Sequence, residues 1–103
     1  MAELTVIWWR AIPAQVVARE GRTSARVQLT NRFQEAIDMA ATRVGLIGTD
    51  DYLNEWHREI RPCGDDLDAE VAAEAERLEE AYSDAALDVL VRAGGLTEAE
   101  GRS

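Results

Sequence analysis

His57 and Cys63 are the strongest metal-ligand types in the chain, and it holds one residue of each type. With Glu55, Asp65 and Asp66 nearby in sequence, they outline a small ligand or metal site. A zinc centre needs three or four converging ligands, usually supplied as tight pairs. A His and a Cys six residues apart supply half of that. The same pair as a Cys–His nucleophile lacks any oxyanion-forming motif, and Cys63 stands between Pro62 and Gly64 in a turn-like context. Most of the carboxylates fall on a regular helical face, which reads as solvated surface rather than acid–base machinery. Gly21, Gly45 and Gly48 fit no phosphate-binding spacing. An enzyme would need Trp9, Arg10 and His57 to line one pocket.

The aromatic and arginine residues carry more information. Trp8 and Trp9 are adjacent on an apparent strand, so they face opposite ways. One enters a helix-covered core, and the other lies on the second face of the sheet. A tryptophan beside Arg10 is a residue pair enriched at protein-contact hot spots. Trp8, Trp9, Arg10, Arg22, Arg32 and Trp56 are therefore the candidate partner-binding residues, with a purely structural role for the tryptophans as the competing reading. No catalytic, cofactor-binding or metal-binding residue is assigned, and no cofactor is expected.

The elements that position these residues follow from periodicity. Residues 4–10 are β-branched and aromatic on both faces, as in a central strand covered on both sides. Ala11-Ile12-Pro13 reads as a break. Residues 14–20 and 24–29 flank Gly21-Arg22-Thr23 as a hairpin. Residues 31–45 form a helix with an Ala-rich apolar face at Phe33, Ala36, Ile37, Ala40, Ala41 and Val44; its cap is Thr30 or an Asn31–Gln34 capping box. Thr49 caps a short segment on which Tyr52, Leu53 and Trp56 share a face, and Asp50 and Asp51 suit its first turn. Residues 58–61 fit either an edge strand or a loop. Residues 66–93 read as one long helix of about 40 Å, with a stripe of Leu67, Val71, Ala75, Leu78, Tyr82, Ala86 and Val89. Gly94-Gly95 ends it. The expected fold is thus α+β: a small antiparallel sheet of about three strands, with a fourth edge strand as an option, packed by two main helices. It forms one domain over residues 1–95, with a flexible tail over 96–103.

Charge narrows the function classes. The net charge is −9, and all basic residues are arginine. Residues 1–64 hold eight acids and eight arginines, so the whole excess of acid lies beyond residue 64. Such a balance disfavours nucleic acid and anionic membrane as partners. The lone cysteine and the absence of a signal-peptide pattern or a long apolar run point to the cytoplasm. A long helix that outruns its own core points to a partner protein or a homodimer.

Several stretches resemble a known small family, the bacterial "virulence factor" domain, related to a domain of conserved virulence factor C-like proteins. They are Val6-Ile7-Trp8-Trp9-Arg10-x-Ile12-Pro13-Ala14-Gln15-Val16, Gly21-Arg22, Arg32-Phe33-x-x-Ala36-Ile37-Asp38-x-Ala40-Ala41, and Asp51-Tyr52-Leu53-x-x-Trp56. The likeness covers most of residues 4–90, with Trp8 where the family pattern has Tyr. The resemblance implies an accessory role. It places small stand-alone members beside corrinoid and folate one-carbon genes, and it supplies no catalytic residues. The combined expectation is a non-enzymatic adaptor that binds a protein, with a small ligand- or metal-binding domain built on His57 and Cys63 as the alternative.

Overall fold

The computed structural model describes residues 2–96. The chain runs β1 (Glu3–Trp9), β2 (Ile12–Glu20), β3 (Thr23–Gln28), α1 (Asn31–Arg43), α2 (Asp50–Asn54), β4 (Trp56–Pro62), α3 (Leu67–Ala81) and α4 (Asp84–Arg92). The strands form one antiparallel sheet in the order β3-β2-β1-β4. The expected α+β class holds, and the optional fourth strand is present as β4. The expected tail beyond Leu96 lies outside the described residues.

β1 is an inner strand, but only one of its faces is covered along its length. Leu4 and Val6 pair with Ala18 and Val16 on the side under α3, and all four are buried. Thr5 and Ile7 face the other way and remain partly exposed. Ala11-Ile12-Pro13 does not break the sheet as expected. Arg10 and Ala11 make the turn, with Arg10 at φ 52, and β2 begins at Ile12. The β1–β2 register shifts between Ile7 and Trp8, which leaves Ala14 as the extra residue. Pro13 lies beyond the last β2–β3 pair, Gln15 with Gln28, so its missing N–H deprives no third strand of a partner.

At this end of the sheet Trp9 pairs with Ile12, and both are wholly buried. The connection from α1 to β4 closes over them: Trp9 Nε1 donates to Tyr52 O at 3.0 Å, and the Trp9 and Tyr52 rings lie 5.7 Å apart. Thr49 caps α2 as expected, accepting from Tyr52 N–H. Leu53 does not share the buried face and is 64% exposed. α1 buries Phe33, Ala36, Ile37, Ala40 and Ala41 and packs on α4. Val44, the last residue of the expected stripe, is exposed.

The single long helix is corrected most plainly. α3 stops at Ala81, Ser83 caps a new helix by accepting from Ala86 N–H, and α4 turns to pack on α1. The apolar stripe divides accordingly: Leu67, Val71, Ala75 and Leu78 are buried from α3 and Leu87 from α4, while Val89 is exposed. Among the described residues no helix therefore outruns the core, and that ground for a homodimer is gone.

Candidate functional site

Arg32 shows why the helix breaks where it does. Its guanidinium donates to the carbonyls of Glu79 and Tyr82, which the end of α3 leaves free, and to the Glu79 and Asp84 carboxylates. Orphan carbonyls at a helix C-terminus need such partners. Glu79, expected on the solvent face, instead receives Thr30 N–H at 2.8 Å and the Thr30 hydroxyl at 3.0 Å. This carboxylate ties the start of α1 to α3, and no capping box forms. Burial alone would raise the Glu79 pKa; the bonds from Thr30 and Arg32 outweigh it and hold the group below its ordinary value.

Arg10 is equally committed inside the molecule. Nη1 donates to Gly94 O at 2.8 Å, Nη2 to Glu55 Oε1 at 3.3 Å, and the guanidinium lies over the Trp9 ring. Of the candidate contact residues, Trp9, Arg10 and Arg32 thus knit the fold together. Trp9 has no exposed surface and lines no opening to solvent. Trp8, Trp56 and Arg22 retain surface: Trp8 and Trp56 are half-buried, and Arg22 is exposed in the β2–β3 turn. They lie on separate parts of the molecule. Trp8 stacks on His57 in a groove beside α3, while Trp56 borders a hollow with Ile7, Gln15, Gln28 and Gln34.

The groove beside α3 has a volume of about 260 Å³ and is lined by Leu4, Val6, Trp8, Glu59, Arg61, Glu74 and Arg77, among others. Glu74 is the buried acid of the fold, 6% exposed, held by Arg77 on its own helix and Arg61 on β4. The Arg77 hydrogen bond, opposed by burial and aided by the charges of Arg77 and Arg61, lowers its pKa. A lowered folded-state pKa gives stability that is present above the unfolded value of about 4.3 and lost as pH falls toward the folded value. Wild-type protein should therefore lose stability as pH drops below about 4.5, and Glu74→Gln should flatten that loss. Urea midpoints from pH 7 to 3 measure this; parallel curves for the two proteins would refute it. Glu74 was legible in principle, since it stands three residues after Val71 and four before Leu78, inside the apolar stripe.

His57 and Cys63 are not brought together. They lie at opposite ends of the β4 run, about 20 Å apart at strand rise. His57 Nε2 meets Arg10 O at 2.7 Å, and a carbonyl only accepts, so Nε2 carries the proton. At the other end Cys63 N–H bonds to Ala2 O. Burial is the largest of the causes that raise the Cys63 thiol pKa, which works against a thiolate. Among the described residues no group of three or more His, Cys, Asp and Glu side chains could hold a metal ion. None of their helices is long and apolar enough to cross a membrane.

The remaining surface of note is the face of the sheet away from α3. Glu3, Thr5, Ile7, Gln15, Val17, Arg19, Arg26, Arg58 and Ile60 line a shallow depression of about 240 Å³ across all the strands. Arg19, Arg26 and Arg58 are exposed and meet no carboxylate at ion-pair distance among the described residues. They flank Ile60, which is 60% exposed, the partly exposed Ile7, and Val17, which is already buried. Arg19 and Arg26 lie in the hairpin read from the sequence. Arg58 could be placed on this face only once residues 58–61 were known to be a strand.

The fold and this surface define a small α+β domain with a one-sided, arginine-bearing sheet. The chain belongs to the virulence factor family, whose model matches residues 7–91. No curated protein and no solved structure gives a significant match to the chain.

Proposed function

We propose that this chain is a non-enzymatic accessory protein that holds a partner protein against the open face of its sheet. The observation that carries the reading is the set of exposed arginines without carboxylate partners among the described residues, Arg19, Arg26 and Arg58, around the partly exposed Ile7 and the exposed Ile60. Guanidinium groups beside desolvatable apolar side chains suit a partner surface that is acidic at its rim and apolar at its centre. The setting implied by the family resemblance, corrinoid- and folate-linked methyl transfer, supplies the pool in which to seek that partner. Trp56 borders the same side of the sheet through the hollow it shares with Ile7 and Gln15.

The test is a comparison of variants. Tagged wild-type chain is used to recover proteins from its native host, and the affinity of the recovered protein is then measured with purified components. Arg19→Glu with Arg26→Glu should weaken that affinity at least about 100-fold, because each reversal replaces an attraction by a repulsion. Arg22→Glu, in the turn, should leave it within about threefold. Equal affinities for the two variants, or no recovered partner, would sink the proposal.

A further inference from the structure

β4 is an edge strand whose outer backbone groups are open to solvent. Arg10 N–H bonds to Glu55 O and Cys63 N–H to Ala2 O, each at 3.1 Å. In an antiparallel ladder, directly opposed residues alternate between bonded and non-bonded pairs. With Val6 opposite Glu59 and Leu4 opposite Arg61, the odd-numbered residues of β4 bond to β1. The N–H and C=O groups of Arg58 and Ile60 therefore point outward, as does the carbonyl of Pro62, which accepts from Arg61 Nη1 at 3.4 Å and keeps a second lone pair for another donor. Residues 57–62 are all exposed, so nothing in the described chain covers this edge.

We infer that β4 pairs with β4 of a second copy, antiparallel about a two-fold axis at Ile60, joining two sheets into one. The dimer uses the sheet edge and the proposed partner its face; the two share Arg58 and Ile60, and the Arg19→Glu and Arg26→Glu variants, which lie off β4, keep the two tests distinguishable. In this register the Ile60 N–H of each copy donates to the Ile60 carbonyl of the other. Each Arg58 N–H donates to the second copy's Pro62 carbonyl, and Pro62, which has no N–H, leaves no donor unmet there. On the side of the sheet that carries α3, Glu59 stands opposite the second copy's Arg61, and Arg61 opposite the second copy's Glu59. These are non-hydrogen-bonded positions of the new ladder, where side chains approach most closely and opposite charges stabilise. On the open side Ile60 meets Ile60, which covers one of the most exposed large apolar side chains of the protein.

Charge selects this register and this edge. Moving the axis to Arg58, Glu59 or Arg61 sets a charge directly against its own copy, which destabilises. The other edge strand, β3, has Arg26 as its sole charge between Thr23 and Gln28, so no self-pairing there gains an opposite-charge contact. Charged edge strands ordinarily resist pairing. In β4 the signs alternate about Ile60, so the same charges that repel other strands fit a second copy.

Sedimentation equilibrium of the chain over about 5 µM to 1 mM tests the inference; a strand-edge contact is small, so a dissociation constant in the upper part of that range is expected. Ile60→Pro removes an outward N–H while leaving the β1 ladder intact, and it should weaken dimerisation at least about tenfold, equivalent to about 1.4 kcal/mol. Glu59→Arg opposes Arg61 with a like charge and should weaken it by a similar factor. Circular dichroism confirms folding, and if Ile60→Pro unfolds, Glu59→Arg decides. Amide exchange at Arg58 and Ile60 should slow as concentration rises, whereas amides on β3 should not change. A wild-type monomer throughout, or a dimer that folded variants leave unchanged, would overturn the inference.

Discussion

Trp9→Ala is expected to destabilise the protein by about 3–5 kcal/mol, the cost of emptying a large buried aromatic site. The indole is wholly enclosed, paired with Ile12 across the sheet and tilted against Tyr52. It also fixes the α1–β4 connection through its bond to Tyr52 O. A domain of this length holds only about 5–15 kcal/mol of stability in total. The melting temperature should fall by roughly 15 °C or more, since each kcal/mol moves it by about 4–8 °C at this size. Trp9→Phe keeps most of the apolar volume and loses the donor, so about 1–2 kcal/mol is expected. Tyr52 O still receives Glu55 N–H in that variant, which limits the penalty. Thermal melts of the variants decide the matter. A Trp9→Ala protein that melts within a few degrees of wild type would show that the indole is not the plug of this end of the sheet.

Gly95→Ala should cost about 2–4 kcal/mol, combining backbone strain with overpacking. Gly95 sits at φ +86, a conformation that side chains disfavour. A Cβ there would lie 2.8 Å from Trp9 Cζ3, an atom of a rigid ring with no room to retreat. The surrounding backbone is also anchored: Gly95 N–H donates to Leu90 O, and Gly95 O accepts from Ala11 N–H, each at 2.7 Å. Gly94→Ala makes the useful control. It shares the positive φ, at +70, and its Cβ would meet Val44 Cγ1 at 2.5 Å. Val44 is 41% exposed and can rotate away, so about 1–2 kcal/mol of strain should remain. Urea midpoints should therefore rank wild type above Gly94→Ala and Gly94→Ala above Gly95→Ala. The reverse order of the alanine variants would mean that the end of α4 does not pack on Trp9 as described.

These glycines show how far local pattern reaches. Gly94-Gly95 was readable as a helix stop from its position after the apolar run. That Gly95 abuts Trp9, more than eighty residues earlier in sequence, is a contact no local pattern carries. Arg32 behaves in the same way. Its place at the start of α1 was legible, but its acceptors are carbonyls at the end of α3. The break between α3 and α4 had a local signal, Ser83 before Asp84, which is a sound helix start. The strong helix propensity around it concealed that signal. β4 escaped a clear reading for another reason. An edge strand with water on much of both faces needs no apolar alternation, and His57, Arg58, Glu59 and Arg61 show none.

The sequence by itself determined the α+β class, the β2–β3 hairpin, the buried stripe of α1 from Phe33 to Ala41, the Thr49 cap and the confinement of excess acid to the region beyond residue 64. Each depends on residues within a few positions of one another, or on composition. Only the tertiary structure decided which residues near His57 and Cys63 converge, and it placed those two at opposite ends of one strand. It also decided which arginines are free. Arg10 and Arg32 were drawn inward by carbonyls and carboxylates from distant segments, while Arg19, Arg26 and Arg58 were left exposed, with no carboxylate at ion-pair distance among the described residues. The physical reason is that a side chain's availability depends on what the rest of the chain places around it, and those neighbours come from segments far away in sequence.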